Sequence, residues 1–198
     1  MAQVRCTFRS ASHLMPNETM KRVVVVGSTG AGKSTLAEQL AAGLDGAFVD
    51  LDALNWGPNW TPAPLDVFRA RAAAALTVER WAVAGNYRNL RDITWGRADT
   101  LVWLDYPLPL IMGRLLRRTV RRIVTQEELW GGNRETLRMQ FTGRDSILLY
   151  AARTYARRRR EITAELARPE HEHLTVWHFR RPAETAAWLA DRLAEWRV

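Results

Sequence analysis

The four β-branched residues at 23–26 form the most apolar short run in the chain, the pattern of a central strand covered on both faces. Behind it the period changes. Leu36, Leu40 and Leu44 recur four apart on one helical face, and the glycines at 43 and 46 predict where that helix stops. Residues 47–49 predict a second strand, and Gly57, Pro58, Pro62 and Pro64 then predict a loop. An Ala-rich helix over 65–78 follows, with strands at 81–84 and 100–104 and a helix over 108–124. Gly131, Gly132 and Gly143 bracket a less regular stretch, after which 146–167 reads as helix and 173–179 as strand. Residues 183–196 close the chain as a helix with apolar positions 186, 189, 190 and 193. Short apolar strands alternating with longer helices predict an α/β fold on a five-stranded parallel sheet. The first 20 residues carry neither period, so 1–20 is expected to be a loose extension and 21–198 a single domain.

Between the first strand and its helix stand Gly27, Ser28, Thr29, Gly30, Ala31, Gly32, Lys33 and Ser34, with Thr35 next. This is G-x-x-x-x-G-K-[ST] in the strand–loop–helix context that a phosphate-binding loop requires. The glycines let backbone N–H groups turn toward a phosphate, and the helix N-terminus adds its positive dipole end. Lys33 is then expected to reach the β- and γ-phosphates of a nucleotide, and the Ser34 hydroxyl to ligate Mg²⁺. Neither a guanine-reading Asn-Lys-x-Asp nor an acidic pair after an apolar strand occurs: Asp105 is followed by Tyr106. GTPases and motor-type ATPases therefore recede behind kinases, whose transferred phosphoryl group needs cationic clamps.

The charge supports that choice. The chain of 198 residues holds 29 Lys+Arg against 21 Asp+Glu, a net charge of +8, and all the cations but Lys21 and Lys33 are arginines. Such a surface attracts anions, and guanidinium groups match phosphate oxygens in pairs. Arg114, Arg117, Arg118 and Arg121 fall on one helical stripe, with Leu116, Val120, Ile123 and Val124 on another. Like charges so spaced repel, which calls for an anion opposite them; a solvated face is the plainer alternative. Arg153, Arg157 and Arg160 make a second stripe, extended by Arg158 and Arg159, that could lend an arginine to the same site or form a polyanion patch. Asp50 and Asp52, two apart at a strand end, are expected to point the same way into one site; strand-end caps are the alternative. His171, His173 and His178 lack metal-ligand spacing and read as structural. No apolar run is long enough to span a membrane, and the single Cys6 cannot form an internal disulfide. With no secretory apolar segment in 1–20, a cytoplasmic protein is expected.

On these residues the chain resembles the adenylate-kinase-like small-molecule kinases of the P-loop class. Within that class it is most similar to the bacterial topology modulation, or adenylate-kinase-related, group. The P-loop carries the resemblance most specifically. The segment Trp81-Ala-Val-Ala-Gly85-Asn86-Tyr87-Arg88 resembles the family strand that ends in Asp-Gly-Phe-Pro-Arg, and Gly-Asn-Tyr is the tripeptide associated with the topology modulation group. Arg114 and Arg118 match the paired lid arginines, and Phe48-Val-Asp50-Leu-Asp52 looks like the Asp-x-Asp of shikimate and gluconate kinases. The resemblance implies a three-layer fold with sheet order 2-3-1-4-5 and a helical lid over about 114–144. It implies ATP on Gly27 through Thr35, and Mg²⁺ held by Ser34 and, through water, by Asp50. Asp52 would orient the acceptor hydroxyl, with Lys33, Arg114 and Arg118 stabilising the transferred group. The acceptor would lie between the loop after Asp52, with Trp56, and Asn86 and Arg88. Ala84 departs from the family's Asp, which leaves Asp50 as its substitute, and Tyr87 departs from Phe-Pro, so AMP is not implied as acceptor. The expectation is a monomeric kinase acting on a small hydroxyl- or phosphate-bearing molecule. The rival is an ATP-binding regulatory or nucleic-acid-associated protein without such an acceptor.

Overall fold

The computed structural model describes residues 8–9, 20–136 and 146–197. In chain order its elements are β1 (Phe8–Arg9), β2 (Arg22–Gly27), α1 (Lys33–Gly43), β3 (Ala47–Asp50), α2 (Leu51–Asn55), α3 (Leu65–Ala75), β4 (Trp81–Ala84), α4 (Arg91–Thr94), β5 (Thr100–Leu104), α5 (Leu108–Thr125), β6 (Glu128–Leu129), β7 (Asn133–Arg134), α6 (Ile147–Leu166), β8 (Thr175–Phe179) and α7 (Pro182–Trp196). One sheet runs β1-β8-β5-β2-β4-β3 with every pairing parallel. Counted from β2 onward, the five strands stand in the order 2-3-1-4-5. Phe8–Arg9 departs from the expected loose extension, because these two residues pair with Val176 and Trp177 at the β8 edge. The rest of 1–19, and residues 137–145 of the expected lid, lie outside the described residues.

The sheet is buried on both faces, as the valine run predicted. Val24 and Val26 face a cluster with Phe68, Trp81, Val83, Leu101, Trp103, Ile162 and Leu166, under α3 and α6. Val23 and Val25 face the opposite cluster, with Leu36, Leu40, Val102, Leu104, Phe179 and Trp188, under α1 and α7. This is the two-residue alternation of a strand expressed as three layers. Leu36, Leu40 and Leu44 are all buried, as their spacing predicts.

Two helices present other faces than the sequence pattern suggested. On α7 the buried residues are Thr185 and Trp188, while Ala186 and Ala190 are exposed. The Trp188 ring packs on Trp177 and Phe179, and so large an apolar area outweighs the small alanines in setting the helix rotation. On α5 the buried side is Ile111, Leu115 and Thr119, and Leu116, Val120 and Val124 are exposed.

The C-terminal strand ends of β2, β3, β4 and β5 meet at one rim. Gly27 lies opposite Leu104, and Asp50 opposite Ala84. The rim is therefore where the loop 27–34, the two aspartates and the segment after β4 come together.

Candidate active site

The loop between β2 and α1 has backbone geometry that only glycine accepts freely. Gly30 and Gly32 sit at φ +87° and +97°, and a Cβ on Gly27 would lie 2.6 Å from the Leu104 carbonyl oxygen. Gly32 precedes the first turn of α1, so the free N–H groups of that turn open into a cleft of about 610 Å³. Thr29, Gly30, Gly32, Lys33, Ser34 and Thr35 line one side of the cleft, and Arg114, Arg118, Arg121 and Arg122 from α5 line another. Asp50 and Asp52 complete the floor, and Leu129 and Trp130 the far wall.

Lys33 reaches back to donate to the Ser28 carbonyl at 3.2 Å. Its pKa is lowered to about 8, chiefly by loss of hydration and also by the neighbouring Arg158 and Arg118, against the pull of Asp52 and Asp50. The Ser34 hydroxyl lies 3.3 Å from Asp50 Oδ2, a pair of hard oxygen donors of the kind Mg²⁺ takes. No group of three or more His, Cys, Asp or Glu that could hold a metal occurs among the described residues, so such an ion would need phosphate or water oxygens as well. Asp50 stands beside Ala84 in the register, so a carboxylate lies one strand away from the place where the family pattern puts one.

The aspartates converge for a different reason from the one their spacing suggested. The strand stops at Asp50, and Asp52 lies in α2. Asp50 caps that helix by accepting from the Asp52 backbone N–H at 3.0 Å, so it serves as cap and cleft residue together. Burial raises the Asp50 pKa, and the Asp52 carboxylate raises it further.

One more group joins the site. Tyr87, just past β4, donates its hydroxyl to Asp52 Oδ1 at 2.5 Å. Burial and the Asp52 charge push the phenol well above its ordinary pKa, so it stays a donor. Tyr87 also lines a second cavity of about 260 Å³, with Asn55, Ala63, Leu65, Phe68, Arg88 and Asn89.

The α5 arginines divide by role. Arg114 donates to the Ala31 carbonyl at 3.1 Å and lies over the Tyr106 ring. Arg121 and Arg122 pair with Glu127, and Arg122 also with Glu135 at 2.9 Å. Arg118 keeps its charge in a desolvated place beside Arg122, which lowers its pKa, and its buried Nε has no hydrogen-bond acceptor. Arg117 does not line the cleft; Arg122 stands in its stead. On α6, Arg158 stacks on Tyr150 and bears on Lys33, Arg157 pairs with Glu161, and Arg159 pairs with the buried Asp105 at 3.0 Å.

Two expected acceptor residues are placed elsewhere. Trp56 packs edge-on against Trp60 and lines neither cavity. Asn86 accepts from Arg91, which is paired with Glu165 at 3.0 Å and lies over Trp95. Arg88 does line the second cavity. Asn133 was silent in the sequence. Its buried side chain accepts from the Trp60 backbone N–H and donates to the Gly57 and Trp130 carbonyls, tying the 128–134 hairpin to the loop after α2. The approach is close enough that a Cβ on Gly131 would lie 2.6 Å from the Gly57 carbonyl carbon.

No family model matches the chain, and no curated protein matches it either. Solved structures do. A shikimate kinase from Bacteroides thetaiotaomicron superposes with a TM-score of 0.52 at 15% identity, over 91% of this chain and 100% of that one. A gluconokinase from Sinorhizobium meliloti aligns at TM-score 0.49 and 19% identity, over 90% and 94% of the two chains. A shikimate kinase from Acinetobacter baumannii aligns at TM-score 0.47 and 21% identity, over 88% and 92%. The fold is that of the P-loop kinases typified by the first of these.

Proposed function

We propose that the protein is an ATP-dependent phosphotransferase that moves the γ-phosphoryl group of ATP to a small acceptor bearing a hydroxyl or phosphate. The supporting observation is that one cleft gathers the P-loop amides, Lys33, the Ser34–Asp50 pair, Asp52 and four arginines. Hydrolases of ATP need the phosphate cradle; the Asp52 carboxylate beside a second cavity is what a transferase adds.

In this reading the P-loop amides and Lys33 bind the β- and γ-phosphates, and Lys33 leaves the Ser28 carbonyl to do so. Ser34 and Asp50 would hold magnesium, which when bound neutralises charge developing on the phosphate oxygens. Asp52 orients the acceptor hydroxyl and takes its proton as the bond to phosphorus forms. Arg118, with Arg114, faces the transferred group, and Arg118's lack of an acceptor for its Nε suits a clamp awaiting an anion. The 128–134 hairpin, fastened through Asn133, shields the cleft from water and so favours transfer over hydrolysis. Arg88 is the cation available to an acidic acceptor in the second cavity.

The fold likeness to a shikimate kinase fits an acceptor with a hydroxyl group, and Gly85-Asn86-Tyr87 supports a place in the topology modulation group. The rival reading, a nucleotide-dependent regulator of nucleic acid, draws on Ala84 and the arginine excess. The register that sets Asp50 beside Ala84 speaks for the enzyme. A cytoplasmic monomer completes the proposal, and no described helix is long and apolar enough to cross a membrane.

The experiment is ADP formation from ATP and Mg²⁺ with either pooled metabolites or DNA and RNA added, using wild type and Asp52→Asn. Stimulation by metabolites alone, strongly reduced in Asp52→Asn while ATP still binds, is expected. Stimulation by nucleic acid alone would contradict the proposal.

A further inference from the structure

Asp52 and the second cavity do not touch directly. Asp52 lines the phosphate cleft and is absent from the cavity wall, whereas Tyr87 lines the cavity and gives its hydroxyl to Asp52. The Tyr87–Asp52 hydrogen bond therefore links the lining of one space to that of the other. An acceptor seated in the cavity that presents a hydroxyl to Asp52 Oδ1 competes with the phenol for that oxygen.

The phenol is delivered to that place by packing as well as by its hydrogen bond. The Tyr87 ring meets Phe68 edge-on at 4.9 Å and packs against the core cluster that includes Phe68, Leu51 and Val49. The Asn55 side chain lies near the same hydroxyl and opposes the rise in its pKa. Asn55 is itself buried and lines the cavity.

We infer that the Tyr87 hydroxyl is a stand-in for the acceptor hydroxyl: without acceptor it occupies Asp52 Oδ1 and keeps water from that oxygen, and the acceptor displaces it. The inference rests on the kinase reading and adds to it a residue that restrains futile hydrolysis. In that side reaction a water oxygen bonds to the γ-phosphorus, the bond from phosphorus to the β–γ bridging oxygen breaks, and the water proton passes through Asp52, leaving ADP and phosphate. The phenol cannot substitute for water as nucleophile, since beside the Asp52 charge it holds its proton.

Tyr87→Phe tests this, because it keeps the ring on Phe68 and removes only the hydroxyl. The probe is ATP·Mg²⁺ alone. ADP release by wild type, Tyr87→Phe, Asp52→Asn and the double variant is measured beside calorimetric ATP binding and thermal melting. Tyr87→Phe should bind ATP as wild type does and release ADP roughly tenfold faster or more, the scale of one hydrogen bond to a charged group. The double variant should return to the Asp52→Asn rate. Unchanged or slower release by a folded, ATP-binding Tyr87→Phe would overturn the stand-in and leave the kinase reading intact. So would a fast rate that persists in the double variant. Failure of wild type to bind ATP would overturn both.

Discussion

At the scale of single residues the cleft holds two cations, Lys33 and Arg118, whose charged forms burial disfavours. Lys33 is the clearest case, with its pKa lowered to about 8 by its surroundings. Bound phosphates favour its charged form and raise that value. Below about pH 8 the ammonium is protonated with or without nucleotide, so affinity should be flat; above it, binding must take up a proton and affinity should fall with pH. Calorimetry in buffers of different ionisation enthalpy should show proton uptake on ATP binding near pH 9 and none near pH 7. Arg118 makes the second case, desolvated and with a buried Nε lacking an acceptor. Arg118→Leu should leave the melting temperature unchanged or raised, since it removes a poorly solvated charge, while slowing phosphoryl transfer by about a hundredfold or more. A fall in both would make Arg118 a structural residue.

At the scale of elements, α2 and the 128–134 hairpin position what the P-loop cannot. The sequence placed Asp50 and Asp52 in one site but attributed this to an extended backbone, because spacing alone does not show that a helix begins at residue 51. The Asp50 cap is the signal for that start: a carboxylate accepting from the N–H two residues on. Asn133 had no local signal, because its three partners lie in the backbone of residues 57, 60 and 130. Removing its amide takes a partner from the part-buried Trp60 N–H and Gly57 carbonyl, so Asn133→Ala should cost about 1–3 kcal/mol and lower the melting midpoint by about 2–4 °C for each. Hydrogen exchange should rise at the Trp60 amide and across 128–134 together; exchange confined to one of the two would show that they are not joined.

At the scale of the whole molecule, five of the six strands of the main sheet follow from alternation of apolar runs and the rim from one motif, both local patterns, whereas the strand order was what the resemblance implied. The helix faces were less legible. Trp188 fixes the rotation of α7 by packing on Trp177 and Phe179 of a strand that the helical period does not see. Asn86 and Trp56, expected at the acceptor, belong to a buried ion-pair network and an aromatic pair, both set by distant partners. The P-loop was legible because its residue types recur at fixed spacing, while Asp52, Arg118 and Arg88 were picked out largely through the resemblance and line the two cavities. Tyr87 was visible as part of Gly-Asn-Tyr and as a departure from Phe-Pro, but not as the partner of Asp52. Phosphoryl transfer to a small molecule is tested most directly by one measurement. Wild type and Lys33→Ala are incubated with ATP·Mg²⁺ and pools of nucleoside monophosphates, sugar acids and hydroxylated metabolites, and the pools are examined by mass spectrometry. A pool member gaining one phosphoryl group with wild type and not with Lys33→Ala is the predicted result; tight ATP binding with no phosphorylated product in any pool would contradict it.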